Sequence, residues 1–437
     1  MIHYPPEKNY CVNILAIFEK NVGDGEWSFN HLLDAVRNWR GFGYRFVVRE
    51  HVRLKDKPIT EELVEDVDEM WFFGTALCNK PENSLPLSDD EVAVINARMI
   101  VGVGVFATGD HEQIGACLCE RIPRVDRMRV WRGADAPRQM PPDSYNSNLR
   151  SPYRDVIDYK LTTMYGDVET DDSDTSAKQI WTTRDDASGT AHELFQLGYV
   201  GTEKQWVRFL PDHMHEGRLR DYSATDDPAI FSQTYPGAPL PRIVAYANRM
   251  SFSMGRKGRS LEYPVVSVYE SENCEGNIVV DSTFHHWTDS NALRLRFSPT
   301  WLHVEQFAIN VANWLLGWRG RDKVKKGIIE YIATTSEQRK RLIEDEAIEE
   351  VADDIGKVAN YMSRQLGEHR IVVDALERIL YGNVLSAKNR KNEMELDTRI
   401  RAGWPQLKGA NLKDLRETGK LPSVILGLTF AGQALPE

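Results

Sequence analysis

The strongest constraint in this sequence is an alternation of two hydrophobic periods along its first 120 residues. VNILAIFE (12–19), YRFVVRE (44–50), EMWFFGTA (69–76) and VGVGVFAT (101–108) are short, nearly continuous apolar runs, the pattern of strands buried on both faces. Segments of helical period separate them. Ser28 is placed to cap a helix whose Phe29, Leu32, Leu33 and Val36 share one side. TEELVEDV (60–67) gives a second helix, and Ser88 with Glu91 forms a capping box ahead of VAVINARMI. GDHEQIGACLCERI then reads as a turn running into a helix. Strand and helix in this rhythm predict a parallel sheet with helices on both faces. Ligands of such sheets sit beyond the carboxyl ends of the strands. Asp110, His111 and Glu112, directly after the fourth run, are therefore placed for chemistry.

The rhythm stops near residue 120. Residues 121–203 are rich in Pro, Asp, Ser, Asn and Arg and read as a loop-rich insertion between the first part of the α/β domain (1–120) and its second part (204–317). RIPRVDRMRVWR (121–132) holds five arginines, more readily solvated or ion-paired than anion-binding. Strand signals resume at KQWVRFLP (204–211), IVAYAN (243–248), YPVVSVYE (263–270) and GNIVVDSTF (276–284), the last two spaced as a hairpin. TWLHVEQFAINVANWLL (300–316) is an amphipathic helix. Residues 321–437 form a charged, helical C-terminal segment in which Ile348, Val351, Ile355, Val358 and Met362 make a seam. That seam serves either packing within a small helical domain or a partner chain, in a homo-oligomer or with another protein.

The net charge of −11 argues against broad nucleic-acid or anionic-membrane binding, which needs a basic surface. Five cysteines, at Cys11, Cys78, Cys117, Cys119 and Cys274, follow no disulfide-framework spacing and fit a reducing compartment. No run approaches the roughly 20 apolar residues that span a bilayer. The first residues lack the basic start and apolar stretch of a signal peptide. The expectation is a cytoplasmic protein that does not enter the membrane.

Three histidine-bearing stretches, TGDHE (108–112), PDHMHEG (211–217) and DSTFHHWTD (281–289), each follow a strand-like run. If those strands run the same way, their ends meet at one rim of the sheet. Asp110, His111 and Glu216 are then the candidate catalytic groups, a His–carboxylate set able to act as general acid and base. Glu112, Asp212, Glu270 and Trp287 are candidate substrate-binding residues, Trp287 by stacking on a ring unless it is a buried structural tryptophan. His213, His215, His285 and His286 are candidate ligands for a divalent metal such as Zn, Mn or Fe, which would activate water. In a strand, His213 and His215 point to one side, whereas only one of His285 and His286 faces the site. None of these spacings matches a specific metal motif. A structural role, with histidines hydrogen-bonding strand ends, competes at each stretch.

GVGVFATGDHEQIGACLC, FLPDHMHEG and NIVVDSTFHHW, in that order, resemble the class I glutamine amidotransferase-like superfamily, in particular its ThuA-like (trehalose utilisation) branch and uncharacterised bacterial relatives. The resemblance spans residues 12–317. It implies a flavodoxin-like, doubly wound, mainly parallel sheet, here with a long insertion and a C-terminal helical segment. True amidotransferases carry a nucleophilic cysteine at the strand-to-helix elbow. Thr108, Gly109, Asp110 and His111 occupy that elbow here, and Cys117 and Cys119 lie beyond it, which argues against a thiolate glutaminase. The resulting expectation is a hydrolase-like enzyme acting on a small molecule, with a carbohydrate-derived one implied by the resemblance. Its rival is a non-catalytic ligand-sensing or scaffold protein whose helical C-terminus mediates assembly.

Overall fold

The computed structural model describes residues 10–19, 28–39, 43–78, 85–110, 113–131, 144–146, 177–183, 191–200, 203–211, 215–222, 229–249, 252–253, 256–257, 261–271, 275–293, 295–317, 320–324 and 326–327. The chain divides into two compact units. One is Cys11–Trp39 with Arg45–Arg321; the other is Met1–Tyr10 with Arg40–Tyr44 and Asp322–Glu437. Residues 328–437, including the seam from Ile348 to Met362, lie outside the described residues.

The first part of the chain builds β1 (Tyr10–Phe18), α1 (Asn30–Asn38), β2 (Tyr44–Val52), α2 (Glu61–Val64), β3 (Glu69–Phe73), α3 (Asp89–Ile100), β4 (Gly104–Thr108), α4 (Ala116–Cys119) and α5 (Val125–Met128). There follow β5 (Ser144–Asn146), β6 (Ala177–Thr182), β7 (Gln196–Val200), β8 (Glu203–Trp206), β9 (Phe209–Pro211) and β10 (His215–Gly217). The last part holds α6 (Ala229–Thr234), β11 (Arg242–Arg249), β12 (Phe252–Ser253), β13 (Arg256–Lys257), β14 (Leu261–Tyr269), β15 (Ile278–Asp281), α7 (Asp289–Leu293) and α8 (Trp301–Leu315).

Nine strands make one mixed sheet in the order β2-β1-β3-β4-β15-β14-β11-β6-β9, so the fold is of the α/β class. β1, β3, β4 and β15 pair in parallel. Beyond β15 every described pairing reverses direction: β14 on β15, β11 on β14, β6 on β11 and β9 on β6 are all antiparallel. Four reversals return β9 to the direction of β4 and β15. The strands that lead into the three histidine stretches therefore all run the same way, the condition for their ends to share a rim. β6 lies within residues 121–203, so that stretch contributes a strand to the main sheet.

Side-chain alternation builds two apolar layers. On one face of the sheet Trp71, Phe73 and Phe106 pack with Trp287, and Phe29 of α1's cap lies 4.8 Å from Phe73. On the other, Leu15, Ile17, Met70, Phe72, Val105 and Ala107 join Ile95 and Met99 of α3 in one buried cluster.

Two helix starts show how local sequence is used. The capping box at Ser88 and Glu91 is present as expected. Ser28 differs from expectation, because Phe29 is the N-cap of α1 and Ser28 sits one position too early. Its hydroxyl instead donates to Asp289, whose two carboxylate oxygens accept from the amides of Asn30 (3.1 Å) and His31 (2.7 Å). A carboxylate from 259 residues away thus caps the helix. KQWVRFLP is likewise two strands, since β8 pairs with β7 while β9 pairs with β6.

Candidate functional site

The carboxyl ends of β3 and β4 meet through three glycines. A Cβ on Gly74 would overlap the backbone of Gly115. One on Gly115 would come within 2.9 Å of the Cα atoms of both Gly74 and Gly109, at a φ of +83° that already favours glycine. This close approach lets the chain turn sharply after β4. Its closure is marked by hydrogen bonds from the Asp110 amide to the Ile114 carbonyl (3.0 Å) and from the Gly115 amide to the Ala76 carbonyl (3.0 Å). Asp110 sits at the tip of this elbow and is buried.

The end of β15 supplies the partner. Thr283 caps a single 3-10 turn, Phe284–His286, by accepting from the His285 amide (3.2 Å). The Phe284 amide donates to Gly109 O (2.8 Å), which ties this turn to the elbow. His285 and His286 then diverge. His285 Nε2 lies 3.4 Å from Asp110 Oδ2, and its Nδ1 lies 3.3 Å from Asn291 Oδ1. His286 Nδ1 lies 2.7 Å from Asp281 Oδ1, and its Nε2 lies 3.1 Å from Lys178 Nζ. Trp287 Nε1 donates to the other Asp281 oxygen at 2.9 Å. Both histidines are buried, 3% and 1% exposed.

Arg129 knits the two strand ends together. Its guanidinium, 1% exposed, donates to the Asp110 carbonyl and, at 3.4 Å, to the Asp281 carbonyl, and lies over the Trp131 ring at 4.7 Å. The third stretch arrives here as well. Gly217 N donates to Ser282 O at 2.9 Å, and a Cβ on Gly217 would collide with the Arg129 guanidinium. Described residues from or beside all three stretches therefore stand at one rim.

The sequence candidates fall into three groups. Asp110, His285 and His286 are brought together. His111, Glu112, Asp212 and His213 lie outside the described residues; His215 and Glu216 are placed in β10, paired with Asn146 and Tyr145, but their side chains are outside the description. The other two require correction. Glu270 follows β14, which runs antiparallel to β15, so the hairpin carries it to the opposite rim, where it is exposed and meets Arg242 at 3.3 Å. Trp287 is 1% exposed and packed by Trp71, Phe73, Phe106 and Phe307, leaving its face no room for a substrate ring. The adjacent histidines also differ from expectation in conformation: they occupy a 3-10 turn, which aims their rings in different directions without a strand's alternation.

Sequence reasoning missed Arg129, Lys178, Asp281 and Asn291. A signal existed for Lys178: in AKQIWT it shares the phase of buried Ile180, an inward position for a lysine. Among the described residues no group of three or more His, Cys, Asp or Glu is placed to hold a metal ion. Both His286 nitrogens already have protein partners.

The cysteines depart from the free-thiol expectation. Cys78 and Cys117 form a disulfide across 39 residues, because the loop after β3 lies beside α4; spacing along the chain carries no trace of that proximity. Cys119 remains free but is fully buried, and burial pushes its thiol well above the usual range. Neither cysteine beyond the elbow presents a thiolate.

No family model matches the chain, and no curated protein matches it. Several solved structures are similar. A cytoplasmic protein from Salmonella typhimurium shares 10% identity over 70% of this chain and 99% of its own, with a TM-score of 0.35. The mmIFT52 N-terminal domain shares 12% identity over 66% of this chain and 96% of its own, with a TM-score of 0.35. A putative ThuA-like protein from Bacteroides uniformis shares 9% identity over 72% of this chain and 94% of its own, with a TM-score of 0.33. Scores this low assign no family and no activity. Among the described residues no helix is long and apolar enough to cross a membrane.

Proposed function

We propose that the carboxyl rim is an acid–base site for hydrolase-like chemistry on a small molecule, built on a flavodoxin-like domain of the ThuA-like kind. The observation that carries this reading is the pairing of Asp110 with His285, two groups from different strand ends whose carboxylate and ring nitrogen stand 3.4 Å apart. Asn291 Oδ1 accepts hydrogen bonds from the hydroxyls of Thr288 (2.7 Å) and Ser290 (3.2 Å), which presents it as an acceptor to His285 Nδ1–H. That arrangement leaves Nε2 as the nitrogen that exchanges a proton with the Asp110 side of the site. The chemistry is not that of a thiolate, since Asp110 occupies the elbow. Resemblance alone suggests a carbohydrate-derived substrate. A metal-dependent form of the reading takes His213, His215, His285 and His286 as candidate ligands, and requires His286 to release Lys178.

Turnover of chromogenic esters, phosphates and glycosides by the full chain tests the proposal. For whichever class is hydrolysed, Asp110→Asn and His285→Gln are expected to lower kcat by about 10²–10⁴. Unchanged turnover in both variants overturns it. The near-complete burial of both histidines favours a second reading, a ligand-sensing or scaffold protein in which the same pair is structural. Under that reading both variants lose stability and the full chain hydrolyses nothing in the panel.

A further inference from the structure

Lys178 belongs to no motif and lies 108 residues from the histidine pair, yet its ammonium reaches one of them. β6 runs antiparallel to β11, β11 antiparallel to β14, and β14 antiparallel to β15, so the start of β6 stands at the rim where β15 ends. From there Lys178 Nζ approaches His286 Nε2 to 3.1 Å, while His286 Nδ1 faces Asp281 Oδ1 at 2.7 Å. All three side chains are buried, at 6%, 1% and 0% exposure. An ammonium can only donate a hydrogen bond, and an ionised carboxylate can only accept one. The two ends therefore impose the same answer on the ring between them: the proton sits on Nδ1, and the Nε2 lone pair takes the lysine hydrogen. Opposite charges flank a neutral imidazole, an arrangement that balances two charges whose separate burial would be costly.

We infer that Lys178 is a positioning residue, locking His286 in the Nδ1–H tautomer through Asp281 and thereby assigning the acid–base role to His285 alone. This rests on the acid–base reading of the rim given above. His286 and Trp287 grip the two oxygens of one carboxylate, Asp281, and the Phe284 amide holds Gly109. The 3-10 turn is thus fixed on both sides of His285, whose ring is left to face Asp110. Of two adjacent histidines, one is spent on geometry and the other is kept for proton exchange. Reading the pair as equivalent metal ligands would instead require displacing the lysine from Nε2.

Long-range ¹H–¹⁵N correlation spectra of the imidazole rings in the ¹⁵N-labelled full chain at neutral pH test this, with His286 assigned by its disappearance in His286→Gln. The expected wild-type spectrum shows a protonated Nδ1 and an unprotonated Nε2 for His286. Lys178→Met is expected to lose that single tautomer and Lys178→Arg to keep it. With the substrate class found above, Lys178→Met is expected to lower kcat about 10²-fold through displacement of His285, with Lys178→Arg restoring most of it. A wild-type His286 carrying its proton on Nε2, or on both nitrogens, overturns the lock, and this decides the matter even where Lys178→Met folds poorly. Unchanged tautomer and kcat in a folded Lys178→Met also overturn it. Unchanged turnover in His285→Gln alongside the expected tautomer overturns the acid–base reading instead, which keeps the two failures distinct.

Discussion

The two ends of the parallel strands carry buried charge in different ways. At the amino ends Glu69 and Arg124 meet nearby ring and carboxylate partners, with Glu69 Oε1 left without a hydrogen bond among the described residues. Glu69 accepts from the indole of Trp71, two residues along (2.9 Å), and Arg124 meets Glu275 at 2.7 Å with the rings of Tyr235 and Tyr269 against it. At the carboxyl ends Asp110, Arg129 and Lys178 come from three separate segments and connect in series with Asp281, His285 and His286 of a fourth. A network of this kind costs more to bury than apolar side chains of similar volume. A network also forms at the amino rim, where Tyr235 links Arg124 to Asp126 and Tyr269 meets Glu275, but among the described residues it contains no imidazole. The contrast motivates the proposal that acid–base chemistry belongs to the carboxyl rim.

Removing an ion pair that stands outside the network should have the largest effect on stability and none on chemistry. Burial alone would raise the Glu91 carboxyl, but the Arg53 guanidinium and the amides of Ser88 and Ile59 hold it at about 2. Glu91→Ala leaves Arg53, 9% exposed, without this partner and is expected to cost about 3–5 kcal/mol in urea unfolding. The folded value lies below the unfolded one. The contribution is therefore complete above pH ~4.5 and lost as the pH falls towards 2, so the variant should lack that acid limb. Turnover per folded molecule should be unchanged; a specific loss of kcat would break the comparison.

Cys78→Ser is expected to cost about 2–4 kcal/mol, because the disulfide closes a long loop in the unfolded chain. Titrating thiols before and after a dithiol reductant checks that the bridge exists. A smaller effect belongs to the amino rim. Burial pushes Glu69 well above the usual carboxylate range, only partly offset by the Trp71 hydrogen bond, and the nearby Asp68 raises it further. Here the folded state keeps a proton that the unfolded state releases near pH 4.5, so wild-type stability falls as the pH rises above that value. Glu69→Gln should remove the fall and be more stable than the wild type at pH 7, with kcat unaltered. A loss of turnover in Glu69→Gln would erase the distinction between the rims.

Much of the fold was legible because burial on both faces leaves a direct mark in sequence. β1, β3 and β4 are apolar runs, and the Ser88–Glu91 box and the β14–β15 hairpin have local signatures. The candidate site was legible only in part. The sequence marks Asp110 as a catalytic candidate and His285 as a metal ligand, each in a polar stretch following an apolar strand, without any expectation that they pair. Glu270 looked equivalent, but the hairpin that was itself read correctly reverses the strand before it and sends that residue to the other rim. Arg129, Lys178 and Asn291 were invisible as partners because the contacts that define them span 152, 108 and 6 residues and leave no spacing rule behind. The cap on α1 failed for the same reason: Asp289 arrives from another helix and displaces the nearer Ser28 from that role.

The central claim, that Asp110 and His285 act as one unit, is tested most directly by a kinetic double-mutant cycle on the hydrolysed substrate class. If the pair works together, Asp110→Asn, His285→Gln and the double variant should each lose a similar factor in kcat/KM, with the double no worse than the more damaging single. Losses that simply multiply, or a double variant that turns over like the wild type, would contradict it.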